Sequence, residues 1–272
     1  MRGVTRRVVR PALALALLLA APTATHAAEE PAPAVPTPAA GSCTHPATAG
    51  VPDVVYRWTS RMNAWRSRPV SVTTVARRFP SVRAARVTTL AASTEHARQT
   101  AWYLVLDARQ VGDACWLDVR LPADPNDRHG WVQRDELIVE RSTWQVEVDI
   151  SDRRVRAYAG GKLRLNARVV VGASATPTPP SGVARPFAFY DAVQGDPDEF
   201  TGAWQLATTA YSSYSRTLGR IGLHGRGGAS LSAPLGSASS NGCIRMANAD
   251  VSLLVRRIGI TRLVGVPVLI VA

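Results

Sequence analysis

The chain has 272 residues, and its 32 basic and 20 acidic side chains give a net charge of +12; Lys162 is the single basic residue that is not arginine. So basic a chain is drawn to anionic polymers, yet no nucleic-acid-binding motif is present, and the five histidines are scattered without the Cys or carboxylate spacing that a zinc site needs. No segment reaches the roughly 20 apolar residues required to span a bilayer.

Residues 1–27 read as a secretory signal peptide. Arg2, Arg6, Arg7 and Arg10 make a positive start without an acid, residues 12–21 are apolar, and Thr25-His26-Ala27 ends on a small residue suited to cleavage. Removing this segment removes four arginines and no acid, and lowers the charge to +8. Residues 28–42 are rich in Pro and Ala and form an extended linker, because such a composition cannot bury a core. An exported, basic chain is expected in the cell envelope, bound to no nucleic acid, with no integral membrane segment once mature, and as a monomer.

Residues 43–141 read as one unit. Val55, Trp58, Met62 and Trp65 recur at three- and four-residue spacing and predict a helix over 54–66. Residues 70–75, 101–106 and 115–121 predict short strands, punctuated by Gly, Pro, Asp and Asn. The string Trp116-Leu117-Asp118-Val119-Arg120-Leu121-Pro122, then Asn126 and Gly130-Trp131-Val132, resembles the closing strands of a bacterial SH3-like domain over residues 68–141. That resemblance implies a small barrel that either binds wall peptide or acts as a spacer. Trp116 and Trp131 are read as core, since large aromatics dominate small cores.

Residues 142–272 read as the catalytic unit. Residues 144–150 alternate, with Val146, Val148 and Ile150 on one face, and Gly160-Gly161 predicts a tight hairpin between runs at 153–159 and 163–171. A Pro-rich loop, Gly172-Ala173-Ser174-Ala175-Thr176-Pro177-Thr178-Pro179-Pro180-Ser181-Gly182, follows. Residues 187–191 read as a strand, and residues 194–215 carry Trp204, Tyr211 and Tyr214. Asn248 is expected to cap a helix over 249–257 that ends at Gly259, and residues 266–271 make a last apolar strand.

The chemistry concentrates in Ser240-Asn241-Gly242-Cys243-Ile244-Arg245, with His224-Gly225 upstream. A thiol becomes a useful nucleophile beside an imidazole that takes its proton, so Cys243 is expected to be rich in thiolate. Gly242 lets the backbone turn and aim N–H groups at an oxyanion. Arg245 offers a permanently charged fork for a carboxylate. No phosphate-cradling glycine loop surrounds Gly225-Arg226-Gly227-Gly228, and neither a metal nor another cofactor is expected.

These residues and the Thr-Pro-Thr-Pro loop resemble the L,D-transpeptidases with a YkuD-type catalytic domain. Asn241 stands where that family usually has histidine. The resemblance implies a mainly β fold, a YkuD-type β-sandwich with one late helix behind the small barrel. It also implies an acyltransferase acting on peptidoglycan stem peptides. Cys243 would attack the third stem residue after His224 takes its proton; the backbone carbonyl of Gly225 would orient His224. N–H groups of Asn241, Gly242 and Cys243 would hold the oxyanion, Ser240 would fix the turn, and Arg245 would hold the turn or a substrate carboxylate. An amine from a neighbouring stem would resolve the thioester into a third-residue cross-link. Two alternatives stay open: resolution by water, giving an L,D-carboxypeptidase or hydrolase, and a catalytically weak wall-binding protein. With Cys243 as the free nucleophile, export into an oxidising compartment pairs Cys43 with Cys115. Residues 194–215 match a region that often forms a lid in that family, which leaves two readings for each of their aromatics: one facing substrate, and ordinary core or surface packing, the latter favoured for each residue singly.

Overall fold

The computed structural model describes Cys43, residues 64–212 and residues 219–272. The expected signal peptide at 1–27 and linker at 28–42 lie outside them, as do most of the helix predicted over 54–66 and Tyr214. The last residues of that helix, 64–66, are instead the start of a strand.

The front sheet contains β1 (Ala64–Pro69), β2 (Val75–Arg77), β3 (Arg86–Thr89), β4 (Tyr103–Val111), β5 (Ala114–Arg120), β6 (His129–Gln133) and β7 (Leu137–Ser142). Its order is β3-β2-β6-β5-β4-β1-β7. The strand expected at 70–75 is a turn in all but its last residue. Val70 and Val72 are exposed there, and with nothing to pack against them the apolar run has no reason to join the sheet. Trp116 and Trp131 are buried. A disulfide joins Cys43 to Cys115, with a Cα–Cα distance of 5.3 Å and 72 positions between them in sequence. Closing a loop of that length stabilises the fold by about 4 kcal/mol in the chain-entropy model.

The second sheet contains β8 (Trp144–Asp149), β9 (Arg154–Ala159), β10 (Lys162–Arg168), β12 (Phe187–Gln194), β13 (Trp204–Tyr211), β14 (Arg220–His224), β16 (Ile244–Arg245) and β17 (Pro267–Val271). They run β10-β9-β8-β17-β12-β13-β14-β16, and β11 (Val171–Gly172) pairs with β15 (Ala238–Ser240) beside them. Gly160 and Gly161 take φ of 55° and 76° in the turn from β9 to β10, the backbone that a twisted two-residue hairpin demands. Helix α1 (Asn248–Ile258) buries Val251, Leu254, Val255 and Ile258, one stripe at helical spacing, in a core that includes Phe187, Phe189, Leu206 and Leu223. It ends on Gly259 at φ 86°, and the short α2 (Ile260–Leu263) follows. The fold is therefore mainly β, with one substantial late helix.

The two sheets meet along a seam of buried polar bonds around a small apolar cluster of Ala64, Leu104, Leu106 and Ala188. Arg120, on β5 and almost fully buried, donates to the carbonyls of Arg185 (2.6 Å), Asn126 (2.7 Å) and Pro186 (3.0 Å). The Asn126 amide acts as a one-residue strand against Tyr211, accepting from its N–H at 2.6 Å and donating to its carbonyl at 2.9 Å. Arg66 donates to the Val264 carbonyl at 3.0 Å and lies over the Trp102 ring. Charged donors of this kind contribute about 1.5–3 kcal/mol each, and removing one strands buried carbonyls. Arg120→Met should therefore lower unfolding stability by about 2–4 kcal/mol. Urea denaturation followed by tryptophan fluorescence checks this, and wild type should show one transition for both sheets.

Candidate active site

The parallel pairing of β14 with β16 builds the site. Its register sets Leu223 opposite Ile244 and His224 opposite Arg245. Cys243, one residue before β16, then falls beside Gly222, whose backbone N–H is near enough to the thiol to favour its charged form. Cys243 and His224 line one cavity of about 490 Å³, with Phe200, Thr201, Tyr211 and Arg220 also on its wall.

His224 is buried, and its Nδ1 lies 2.7 Å from the carbonyl of Gly225. A carbonyl oxygen only accepts, so Nδ1 carries the hydrogen and Nε2 keeps its lone pair. Burial pushes the imidazole below its ordinary value, and Arg245 adds to that; contacts with the backbone of Gly225 and Thr201 partly oppose it. The ring is therefore neutral at pH 7 and able to accept a proton. Burial pushes the Cys243 thiol up, with the Gly222 N–H and the Arg245 charge pulling the other way. The thiolate-rich cysteine expected from sequence is thus corrected: desolvation outweighs the polar neighbours, and the resting pair is a neutral thiol beside a neutral imidazole.

The turn before Cys243 is held by hydroxyls. Ser240 Oγ donates to the Cys243 carbonyl at 2.6 Å and accepts from the Gly242 N–H at 3.2 Å. Thr178 Oγ1 donates to the Gly242 carbonyl at 2.7 Å and accepts from the Gly172 N–H at 2.8 Å. Thr176 Oγ1 donates to the Ser240 carbonyl at 2.8 Å. Gly242 itself has φ of 109°, a conformation side chains avoid, and a Cβ there would lie 2.8 Å from Ile221 Cδ1. Because Ser240 occupies the Gly242 N–H, the donors left at this turn for an oxyanion are those of Asn241 and Cys243. Asn241 is exposed.

Arg245 is not on the cavity wall. It is buried, with its guanidinium over Phe200 at 4.8 Å from the ring centroid, and Phe200 in turn lies 6.2 Å from the His224 ring. Asn248 is the first residue of α1 rather than its cap, which is Ala247. Its side chain is spent elsewhere: Oδ1 accepts from Ala203 and Arg226 N–H groups at 3.1 and 2.9 Å, and Nδ2 donates to the carbonyls of Pro197 and Arg226 at 3.1 and 2.9 Å. This pins the 195–203 loop, which carries Phe200 and Thr201, against the loop after His224. Gly225 lies so close that a Cβ on it would meet Asn248 Oδ1 at 2.1 Å. Within the span 194–215 expected as a lid, residues 204–211 are β13, an inner strand between β12 and β14, while the loop before it brings Phe200 and Thr201 to the cavity wall; Tyr211 also faces the cavity, Trp204 packs on the core, and residues 213–215 lie outside the described residues.

Residues 143–270, the span that holds the second sheet, match the family model of YkuD, the L,D-transpeptidase catalytic domain. Similar solved structures include the catalytic domain of an E. faecium L,D-transpeptidase, 20% identical, covering 47% of this chain and 95% of that one with a TM-score of 0.33. L,D-transpeptidase 3 from Mycobacterium tuberculosis is 14% identical and covers 58% of this chain and 92% of its own, with a TM-score of 0.37. An L,D-transpeptidase from Mycobacterium smegmatis is 14% identical, covering 61% and 98%, with a TM-score of 0.35. No curated protein matches the sequence.

Two measurements test this geometry. Thr178→Val keeps the shape but leaves a buried N–H and a buried carbonyl without their hydroxyl, and should cost about 2–4 kcal/mol in urea unfolding. The rate of Cys243 alkylation by iodoacetamide should rise with pH to a midpoint above the ordinary thiol value of about 8.5; a midpoint at or below that value contradicts the neutral pair.

Proposed function

We propose that this protein is an exported peptidoglycan L,D-transpeptidase, which forms cross-links between third stem-peptide residues through a thioester on Cys243. The reading is carried by one observation: the Cys243 thiol and a neutral His224, its Nδ1 proton committed to Gly225, face the same cavity. The YkuD match over 143–270 supports the substrate class. The signal peptide read in residues 1–27 supports action in the cell wall. The front unit, residues 43–141, is read as an SH3-like module of the same monomeric protein.

His224 Nε2 takes the thiol proton as Sγ attacks the carbonyl carbon of the third stem residue. The N–H groups of Asn241 and Cys243 receive the developing oxyanion. As sulfur gains charge, the Gly222 N–H and Arg245 stabilise it. The proton then passes from His224 to the departing D-amino acid, whose C–N bond breaks, and a thioester remains. An incoming amine attacks that thioester, its proton returns through His224 to sulfur, and the free thiol is regenerated.

With stem tetrapeptide as donor, Cys243→Ala should abolish release of the terminal D-residue, and His224→Gln should slow it by about 10²–10⁴-fold. The acid limb of kcat/KM should lie below about 6.5, the ordinary histidine value, because burial lowers the folded-state value. Stability carries the same sign. Below about 6.5 the unfolded chain takes up a proton that buried His224 refuses, so stability falls as pH drops from there toward the folded value. Full D-residue release by Cys243→Ala would end this reading.

A further inference from the structure

Two groups on the wall of the Cys243 cavity come from the front sheet. Glu95 and His96 lie in the hairpin that links β3 to β4. The Thr94 N–H donates to the Gln99 carbonyl at 2.8 Å, the Gln99 N–H donates to Thr94 Oγ1 at 3.0 Å, and Ser93 bridges to Thr100. Asp191 on β12 fastens this hairpin to the second sheet. Its buried carboxylate accepts from the N–H groups of His96 and Ala97 at 2.8 and 3.2 Å, and Gln99 Nε2 donates to the Ala192 carbonyl at 3.1 Å. Bonds from backbone N–H to a buried carboxylate are among the stronger ones, so Glu95 is a placed group rather than the end of a loose loop.

Among the described residues on that wall, Glu95 is the only carboxylate and Arg220 the only permanent cation. They form a loose ion pair at 3.7 Å, beyond hydrogen-bond distance, and the Glu95 side chain is 59% exposed. Arg220 has other partners: it donates to the Pro122 carbonyl at 3.1 Å and lies over the rings of Tyr190 and Tyr211 at 4.2 and 4.7 Å. Arg220 is thus held without Glu95, and the Glu95 oxygens keep their capacity for a donor from outside.

We infer that Glu95 is the binding site for the ammonium group of the second substrate, the primary amine that resolves the thioester; this rests on the transpeptidase reading. A primary amine of ordinary pKa, about 10, arrives protonated at neutral pH. A cavity with Arg220 on its wall repels that charge unless a carboxylate stands at the entrance. Before attacking, the amine releases one proton to water. The second passes through His224 to sulfur as the N–C bond forms and the C–S bond breaks. The front sheet thereby supplies a specificity element for the chemistry of the second, and Asp191 is its positioning residue.

The test reads binding without chemistry. In full-length protein carrying Cys243→Ala, calorimetry compares a stem tetrapeptide bearing a free side-chain amine with its N-acetylated form. The free amine should bind at least fivefold tighter, and Glu95→Gln and Glu95→Lys should erase that preference. In turnover, Glu95→Gln should raise the KM for the acceptor at least fivefold and shift product from cross-link to free tripeptide. Equal Kd values for the two peptides with Glu95 present, or a preference that survives both substitutions, overturns the inference. Acylation of Cys243 by the donor, read by mass in the wild-type chain, reports separately on the transpeptidase reading.

Discussion

Three hydroxyls hold the backbone turn that presents Cys243, and the candidate site depends on them. Ser240, Thr176 and Thr178 take up the N–H and carbonyl groups around a glycine at positive φ. A turn of this shape is costly unless its polar groups are satisfied, since each buried unsatisfied group costs about 1–3 kcal/mol. Satisfying them from two directions, within the turn and from the Pro-rich loop, leaves the cysteine one position. The parallel register of β14 and β16 then sets that position beside Gly222, two residues before His224 on the neighbouring strand.

The same economy of polar groups explains the seam. Arg120, Asn126 and Asp191 are side chains that behave as pieces of backbone, bonding to N–H and carbonyl groups of the other sheet. Such bonds fix orientation more strictly than apolar contact does, because hydrogen bonds weaken steeply away from their preferred angle. The front sheet is in consequence part of the site's architecture, and the wall of the Cys243 cavity contains residues from both sheets.

Much of the second sheet was legible in the sequence. Alternation marked β8, the Gly160-Gly161 pair marked the hairpin, and Asn248 with Gly259 at the far end marked α1. Cys243 and His224 stood out because a Gly-Cys-x-Arg string with an upstream His-Gly is rare and chemically coherent. The errors have physical causes. Val70 and Val72 are β-formers with no sheet surface to cover. Asn248 is a good cap residue, but two loops distant in sequence offered its side chain four bonds. The thiolate expectation weighed the imidazole and neglected desolvation, a quantity set by packing. Thr176 and Thr178 sit in a Pro-rich string whose composition carries no sign of the bonds they make to the Cys243 turn. Glu95 and Asp191 carry no local signal at all, because their meaning lies in a contact between residues about a hundred positions apart in the chain.

The central claim is that the neutral Cys243–His224 pair forms an acyl bond to a stem peptide. Its most direct test is the intact mass of wild-type protein quenched during reaction with a stem tetrapeptide and no acceptor. The account predicts an adduct equal to the tripeptide acyl group, located on Cys243 by fragmentation and lost on treatment with hydroxylamine. An unmodified Cys243 while the terminal D-residue is being released would contradict it.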